Sequence, residues 1–304
     1  MFVDNQKIKT NYIKIPQSNF IIGNKEVINE IGCWFRSDTF ESENFEFLKA
    51  LTVLHGRSCG YFHAKNQEIY ILKGTGWTYG PCSYMNSPKD DELFFGIYDA
   101  DSALREYRNS EYLLNNNIRC TEVVGFADIS HYFPLELRFN NGKLVNPCIL
   151  YTKSLSFYRV ADLAYLSDAQ KLQAILNVCQ ILKWPYELYF QNFSKELTST
   201  IAKMHILGCC NDTLESGNVT LAAEITDFEW VTTPAVQLPV PEYYKNFEHR
   251  QAKEIIYLFE TLVELNSFIS HCDNIQDIVK MIVDAYVEIL PESKDFLSRA
   301  LFKL

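Results

Sequence analysis

The sequence predicts an α+β fold in two lobes, the first rich in strands and the second rich in helices. Between residues 45 and 153, short apolar runs separated by polar turns are typical of strands, with one helical stretch among them. From residue 160 onward, apolar residues recur at helical spacing. The chain is 47% hydrophobic and 14% aromatic, which is enough to bury a substantial core. We therefore expect an N-terminal extension at 1–45, a β-rich lobe at 46–158 and a helical lobe at 159–304.

A β-hairpin and one helix are the clearest elements of the β-rich lobe. Residues 60–64 are strand-like, a polar turn follows, and the apolar run at 69–72 ends at Lys73. A helix is predicted over 101–116, because capping residues precede an apolar pattern of helical period. A further turn is predicted at 140–142, between strands at 135–139 and 146–153.

Four helical patterns make up most of the second lobe. Apolar residues at i, i+3 and i+4 predict helices at 161–183, 194–207, 250–265 and 274–290, with a break at Trp184. Such stripes are core-facing surfaces. A strand-rich lobe followed by a helical lobe would place a ligand in the cleft between them.

Charge and hydropathy argue against two classes of partner. Lysine and arginine number 28 and aspartate and glutamate 38, so the net charge is 28 − 38 = −10. The sequence has no basic stripe of the kind that neutralises nucleic-acid phosphates, so we expect no nucleic-acid partner. The longest apolar runs fall short of the ~20 residues that cross a bilayer. The first 16 residues lack the apolar centre of a signal peptide. We expect no membrane partner.

The nine cysteines favour a reducing compartment. They are odd in number and scattered, with no Cys-x-x-Cys pair and no ligand-like spacing to histidine. A disulfide scaffold or a structural zinc site would need such regularity. We expect reduced, mostly buried thiols and a cytoplasmic location, while delivery to another cell after synthesis stays open.

Four polar residues occur in the order that a nucleotide site requires. Lys73 ends a predicted strand, and Glu106 lies on the helix that follows. Asn218 precedes Asp227 by nine residues, the spacing of a loop asparagine and a strand-end aspartate that share a metal across a tight hairpin. Phosphates need cations, and magnesium prefers carboxylate and amide oxygens. Each residue alone has an ordinary explanation, such as a solvated lysine or a turn-capping aspartate. Their order predicts a site for ATP with Mg²⁺ or Mn²⁺.

Other motifs are less specific. Residues 55–60 contain two glycines and could fold over phosphates with Arg57 available to them, although a strand bulge explains the stretch equally well. His205 and His131 are expected to be structural. The sequence has no Walker A motif and no nucleophile elbow, so a serine or cysteine hydrolase has no support.

Three stretches of the chain carry the pattern of a known family. Residues 72–76 read LKGTG and residues 104–111 read LREYRNSE, where the family has Leu-Lys-Gly-x-Gly and Leu-Arg-Glu-x-x-x-Ser-Glu. Residues 201–230 align without a gap with its catalytic segment. On roughly residues 50–266 the chain thus resembles the selenoprotein O pseudokinase family, as a shortened and divergent member.

This resemblance implies a protein-kinase-like bilobal fold and several nucleotide contacts. Lys73 and Glu106 match the phosphate-binding lysine and its helix partner, and Gly74 follows in the same motif. Lys153 and Arg159 resemble two arginines that contact phosphates, in a register blurred by a one-residue deletion.

The resemblance also implies the metal ligands, and it shows where the chain departs from the family. Asn218 and Asp227 match the metal-binding pair, but Gly217 stands where the family has its proposed base. Glycine cannot accept a proton, so another carboxylate would have to replace the base or the reaction would proceed without one. Three nearby candidates are Asp212, Glu215 and Glu229.

Three functions fit these observations. Family members transfer AMP from ATP to protein hydroxyl groups, so the resemblance implies adenylylation of a protein substrate. A kinase that moves the γ-phosphate to a protein or a small molecule would use the same residues. The third function, from a different class, is a pseudoenzyme that binds nucleotide as a structural or regulatory ligand, as the loss of the base at Gly217 suggests.

Overall fold

The computed structural model describes residues 12–15, 20–36, 52–53, 58–63, 66–76, 97–132, 144–234, 236, 246–269 and 274–301. The chain divides into two compact units. The first unit comprises residues up to Tyr107 together with Glu122–Phe157. The second comprises Arg108–Thr121 and Tyr158–Leu304.

The first unit is built on an antiparallel sheet. Among the described residues, seven strands form one sheet in the order β2-β8-β9-β6-β5-β4, in which β7 also pairs with β9. Strands β1 and β3 pair separately, and helix α1 (Lys25–Ile31) packs on β8. The strands are β1 (Tyr12–Ile15), β2 (Ile21–Gly23), β3 (Cys33–Arg36), β4 (Thr52–Val53), β5 (Ser58–His63), β6 (Glu68–Lys73), β7 (Tyr98–Asp99), β8 (Glu122–Asp128) and β9 (Pro147–Ser154).

The predicted hairpin is confirmed as β5 and β6. Tyr61 lies opposite Tyr70 in the register, which brings the last residue of β6, Lys73, opposite Ser58. Tyr70 and Leu72 point into the core of the unit and are buried. The next residue, Lys73, is thereby fixed at the end of a strand that pairs on both sides, with β5 and with β9.

The second unit is mostly helical. Helices α4, α5 and α6 pack against one another. They bury the apolar stripes that the sequence predicts, such as Leu197, Leu262 and Ile282. A β-rich unit and a helical unit confirm the predicted α+β class. The elements are α2 (Ala100–Asn115), which begins in the first unit, α3 (Asp168–Leu182), α4 (Tyr189–Ile206), β10 (Cys210–Asn211), β11 (Val231–Thr232), α5 (Phe247–Phe268), α6 (Ile275–Ile289) and α7 (Lys294–Leu301).

The single helix predicted at 161–183 is wrong at its start. Residues Val160–Tyr165 form a 3₁₀ helix, and α3 begins only after Ser167. Ser167 and Gln170 form a capping box, in which the Ser167 backbone N–H donates to the Gln170 side chain at 2.9 Å. Helix α4 also begins five residues before the predicted position 194, at Tyr189. The apolar periodicity continues across these capping residues, so the sequence pattern does not show where the two helices begin.

The N-terminal extension predicted at 1–45 is corrected by the pairing of β2. Ile21–Gly23 is an edge strand of the large sheet, with Ile22 opposite Phe126 of β8. Three residues are too short for an alternating pattern, so the sequence gives little sign of the strand. The described residues of this region therefore belong to the β-rich unit.

The segment Arg108–Thr121 belongs to the second unit and not, as predicted, to the β-rich lobe at 46–158. The Asn109 side chain donates to the carbonyl oxygens of Phe228 (3.0 Å) and Val231 (2.8 Å). The Thr121 backbone N–H donates to the Ile225 carbonyl at 3.0 Å. These contacts, between residues more than a hundred positions apart in the sequence, place the segment in the second unit. Local sequence patterns do not predict them.

Two expectations have different outcomes. The turn at 140–142 and the strand at 135–139 lie outside the described residues, whereas the strand at 146–153 is confirmed as β9. Among the described helices, none has the length and apolar character that crossing a bilayer requires.

The pairing of β2 with β8 can be tested at Gly125, where β8 carries a bulge. Gly125 has φ +145°, and a Cβ there would lie 2.1 Å from the Ile22 carbonyl oxygen. We expect Gly125→Ala to lower the free energy of unfolding by at least ~2 kcal/mol, because the backbone of β2 would have to move. Urea denaturation measures this change.

The matched control is Gly217→Ala, where a Cβ meets no atom within 4 Å. It should alter stability by less than ~1 kcal/mol. Equal losses in the two variants would contradict the placement of β2.

Candidate functional site

Lys73 and Glu106 form a buried ion pair within the first unit. The Lys73 Nζ atom donates to Glu106 Oε1 at 2.5 Å, from the end of β6 to the middle of α2. The residues are 8% and 2% exposed, so the ordinary explanation of a solvated strand lysine is wrong. A buried ion pair adds little net stability, because desolvation of both charges offsets their attraction.

Tyr98 completes this cluster and was not predicted from the sequence. Its hydroxyl donates to the same Glu106 Oε1 atom, and its ring lies 4.2 Å from Lys73 Nζ. One carboxylate oxygen thus accepts from two donors while the ammonium contacts an aromatic face, which favours a cation. Tyr98 is part of the two-residue strand β7, too short to show a pattern.

Gly74 follows Lys73 and packs against the neighbouring strands. Its φ is +94°, and a Cβ would lie 2.4 Å from the Cys148 carbonyl oxygen and 2.8 Å from Tyr98 Cβ. This packing accounts for glycine at the position, because any side chain would push Tyr98 away from the ion pair. A phosphate contact by Gly74 stays a prediction.

Lys153 lies on β9 and binds a carboxylate. Its Nζ atom donates to Glu68 Oε1 at 2.5 Å, and the Tyr70 hydroxyl donates to Glu68 Oε2 at 2.7 Å. The hydrogen bond from Lys153, followed by that from Tyr70, lowers the pKa of Glu68 to about 2. Lys153 is therefore neutralised by Glu68 in this structure, and its contact with phosphates stays a prediction. Arg57 lies outside the described residues.

Within the second unit, Asn218 and Asp227 lie at the open end of a tight hairpin. The Thr226 backbone N–H donates to the Asn218 carbonyl at 3.0 Å, and Val219 forms an antiparallel bridge with Ile225. This hairpin is the geometry that the nine-residue spacing predicts. It brings the backbones of the two residues side by side.

Asp227 has an unusual backbone conformation. Its φ of 64° and ψ of 69° lie in the left-handed region, directly before a 3₁₀ helix at Phe228–Trp230. Aspartate tolerates this region better than most residues, but it still costs energy, and such costs cluster at functional positions. The conformation is a reason to look for function at this residue.

The side-chain amide of Asn218 is held at both ends. Its Nδ2 donates to the Thr213 carbonyl at 2.6 Å, and its Oδ1 accepts from Arg159 Nη1 at 3.2 Å. Arg159 Nη1 also donates to the Gly217 carbonyl at 2.5 Å. Arg159 therefore holds the loop that carries Asn218, and its predicted contact with phosphates stays a prediction.

Two of the three candidate bases, Asp212 and Glu215, differ in their surroundings. Asp212 binds Arg250 through both carboxylate oxygens, with Arg250 Nε donating to Oδ1 at 2.6 Å. Lys253 Nζ donates to the Asp212 backbone carbonyl at 3.1 Å. Glu215 is exposed on the same loop. The bidentate Arg250 contact stabilises the Asp212 carboxylate, whereas no such fork holds Glu215 among the described contacts.

The site residues therefore gather into two groups, one within each unit. The first group is Lys73, Glu106 and Tyr98; the second contains Asn218, Asp227 and Arg159, with Arg250 beside Asp212. Arg250 and Tyr98 were missed by the sequence analysis. Residues 246–251, NFEHRQ, resemble the segment that leads into the next helix of the selenoprotein O family, and this resemblance points to Arg250 without giving it a role.

Comparisons with known proteins add little. No protein-family model matches the sequence, and no curated protein matches it. Among solved structures, the chain is similar to a Toxoplasma gondii specific rhoptry antigen kinase domain, at 10% identity and a TM-score of 0.38. The similarity covers 82% of this chain and 80% of that one.

The role of Tyr98 can be tested by removing its hydroxyl. We expect Tyr98→Phe to lower the free energy of unfolding by roughly 1.5–3 kcal/mol, because the Oε1 atom of the buried Glu106 carboxylate loses a donor. Urea denaturation is the measurement. Tyr189→Phe is the matched control, since the buried Tyr189 hydroxyl donates to a neutral carbonyl, that of Leu221, at 2.8 Å. Its loss should be about 1 kcal/mol. A larger loss in the control would contradict the charged contact at Tyr98.

Proposed function

We propose that the chain is an ATP-dependent and metal-dependent transferase with a protein-kinase-like fold, which moves AMP onto a hydroxyl group of a protein. The buried pair of Lys73 and Glu106 carries this proposal. A glutamate that fixes a strand-end lysine holds the ammonium in one place, as phosphate oxygens require. Because the pair contributes little net stability, binding a ligand is the better account of its retention.

Asn218 and Asp227 are the proposed metal ligands. An amide oxygen and a carboxylate are the donors that Mg²⁺ and Mn²⁺ accept, so the residues present fit such an ion. The hairpin brings their backbones together, and the left-handed Asp227 adds to the case. When bound, the ion neutralises charge on the phosphate oxygens.

The proposed reaction has few demands on the protein. A hydroxyl oxygen of the substrate bonds to the α-phosphorus of ATP, the bond between the α-phosphorus and the bridging oxygen breaks, and pyrophosphate leaves. The hydroxyl proton passes to a carboxylate or to water. The exposed Glu215 is favoured over Asp212 as its acceptor, because both carboxylate oxygens of Asp212 already accept hydrogen bonds from Arg250.

The choice of AMP transfer over phosphate transfer rests on the resemblance to the selenoprotein O family. A kinase would keep Lys73, Glu106, Asn218 and Asp227 in the same roles and would break the bond to the γ-phosphorus. A pseudoenzyme would bind nucleotide without transfer. A protein substrate and a cytoplasmic location are part of the same proposal.

Labelled nucleotide separates these functions. We expect label from α-phosphate-labelled ATP, and none from γ-phosphate-labelled ATP, to enter the protein itself or proteins of a soluble extract in the presence of Mn²⁺ or Mg²⁺. The double variant Lys73→Met with Glu106→Gln should lose at least ~10²-fold of this transfer while it stays folded, because neutral side chains of similar size replace the buried pair.

Lys171→Ala is the matched control, because Lys171 lies on α3, where its ammonium pairs with the exposed Asp168 at 3.2 Å and lies 5.7 Å from the centroid of the Phe268 ring. It should transfer at the normal rate. Entry of γ-label would identify a kinase, and ATP binding without either label would identify a pseudoenzyme. Normal transfer by the double variant would refute the site.

The missing base gives a separate test at Gly217. A side chain there meets no atom within 4 Å, so space does not require glycine. We expect Gly217→Asp to raise the rate of AMP transfer by ~10²-fold if a base limits the reaction, the lower end of what general-base catalysis contributes. Gly217→Asn has the same size without the carboxylate and should not raise the rate. Equal rates in the two variants would mean that a carboxylate at this position is not limiting.

A further inference from the structure

Glu254, on helix α5, is a buried carboxylate at the base of the loop that carries Asn218. It is 1% exposed, and its Oε1 atom accepts from the Asn211 backbone N–H at 2.5 Å. Its Oε2 atom lies 2.6 Å from His205 Nε2, and His205 Nδ1 lies 2.5 Å from the Tyr286 hydroxyl. Residues from α4, α5 and α6 thus fix the position of the Asn211 backbone.

The Asn211 side chain continues the contact into the loop. Its Oδ1 atom accepts from the Thr213 backbone N–H at 3.1 Å and from the Thr213 hydroxyl at 3.0 Å. This is an Asx turn, which sets the direction of the chain at Thr213. Asn211 is fully buried, and its Nδ2 atom has no hydrogen-bond partner among the described residues. Burial of an unsatisfied amide is unfavourable, so the side chain is retained for its oxygen.

Thr213 then contacts the proposed metal ligand directly. Its carbonyl accepts from Asn218 Nδ2 at 2.6 Å, while Asn218 Oδ1 accepts from Arg159 at 3.2 Å. A carbonyl needs a donor and a guanidinium needs an acceptor, so only one orientation of the Asn218 amide satisfies both neighbours. The contacts therefore decide which atom of Asn218 faces Arg159.

We infer that Glu254 and Asn211 are positioning residues, which act through Thr213 to orient the Asn218 amide for a divalent cation. This inference rests on the proposed metal role of Asn218. Three successive links, made by four hydrogen bonds of 3.1 Å or less, connect helix α5 to that amide. Partners that orient a metal ligand typically change metal affinity by 10–100-fold when they are lost.

Asn211→Ala is the first test, because it removes the acceptor of the Asx turn and leaves the backbone contact with Glu254. The free Mn²⁺ signal in electron paramagnetic resonance, with ATP present, measures the affinity for Mn²⁺. We expect about 10-fold weaker binding in Asn211→Ala. Asn211→Ser keeps an oxygen that can accept in the same turn, so its affinity should fall within about 3-fold of normal.

Ser194→Ala is the matched control for lost buried hydrogen bonds. The buried Ser194 hydroxyl donates to the Phe190 carbonyl within α4 at 2.7 Å, away from the loop. It should leave Mn²⁺ binding unchanged. Weaker binding in this variant, or equal binding in Asn211→Ala and the normal protein, would overturn the inference.

A second measurement needs no nucleotide. In protein labelled with ¹⁵N-asparagine, the Asn218 side-chain amide protons should exchange with solvent at least ~10-fold faster in Asn211→Ala than in the normal protein, and at intermediate rates in Asn211→Ser. Unchanged exchange would overturn the connection between Asn211 and Asn218. Faster exchange in a protein that binds no Mn²⁺ would show that the connection exists, while the metal role, and the inference built on it, would fail.

Discussion

The buried ion pair between Lys73 and Glu106 is the strongest constraint on the β-rich unit. Each charge has left water, so neither can be left without its partner. Strand β6 must end at Lys73, α2 must present Glu106 toward it, and Gly74 must lack a side chain so that Tyr98 reaches the same carboxylate. Three elements are fixed relative to one another by a contact that adds little to stability.

A different arrangement holds the loop before the hairpin in the helical unit. Glu254 binds the backbone of Asn211, Arg250 binds the side chain of Asp212, and Arg159 binds the carbonyl of Gly217. Two of these contacts come from helix α5 and the third comes from Arg159, and they converge on seven consecutive residues, 211–217. A loop held in this way loses little further entropy when it binds a ligand, which is the benefit of preorganisation.

Two energetically unfavourable features lie within residues 211–227. Asp227 has a left-handed backbone, and Asn211 buries an amide nitrogen that has no hydrogen-bond partner among the described residues. Natural sequences avoid such features in ordinary structural positions and retain them where function requires them. The departures from the selenoprotein O pattern, including Gly217 in place of a base, fall here too.

Sequence patterns alone predict the hairpin that ends at Lys73, helix α2 with Glu106, and the hairpin that connects Asn218 to Asp227. Each of these depends on periodicity or spacing within a short window, and a sequence displays both directly. The tertiary structure was needed to show that Lys73 is buried and that β2 joins the large sheet. It was also needed to show that Tyr98 binds Glu106, that Arg250 binds Asp212 and that Glu254 binds the Asn211 backbone. Most of these contacts join residues that are tens to more than a hundred positions apart in the sequence, and burial depends on such contacts. No local pattern specifies which distant partner a side chain meets.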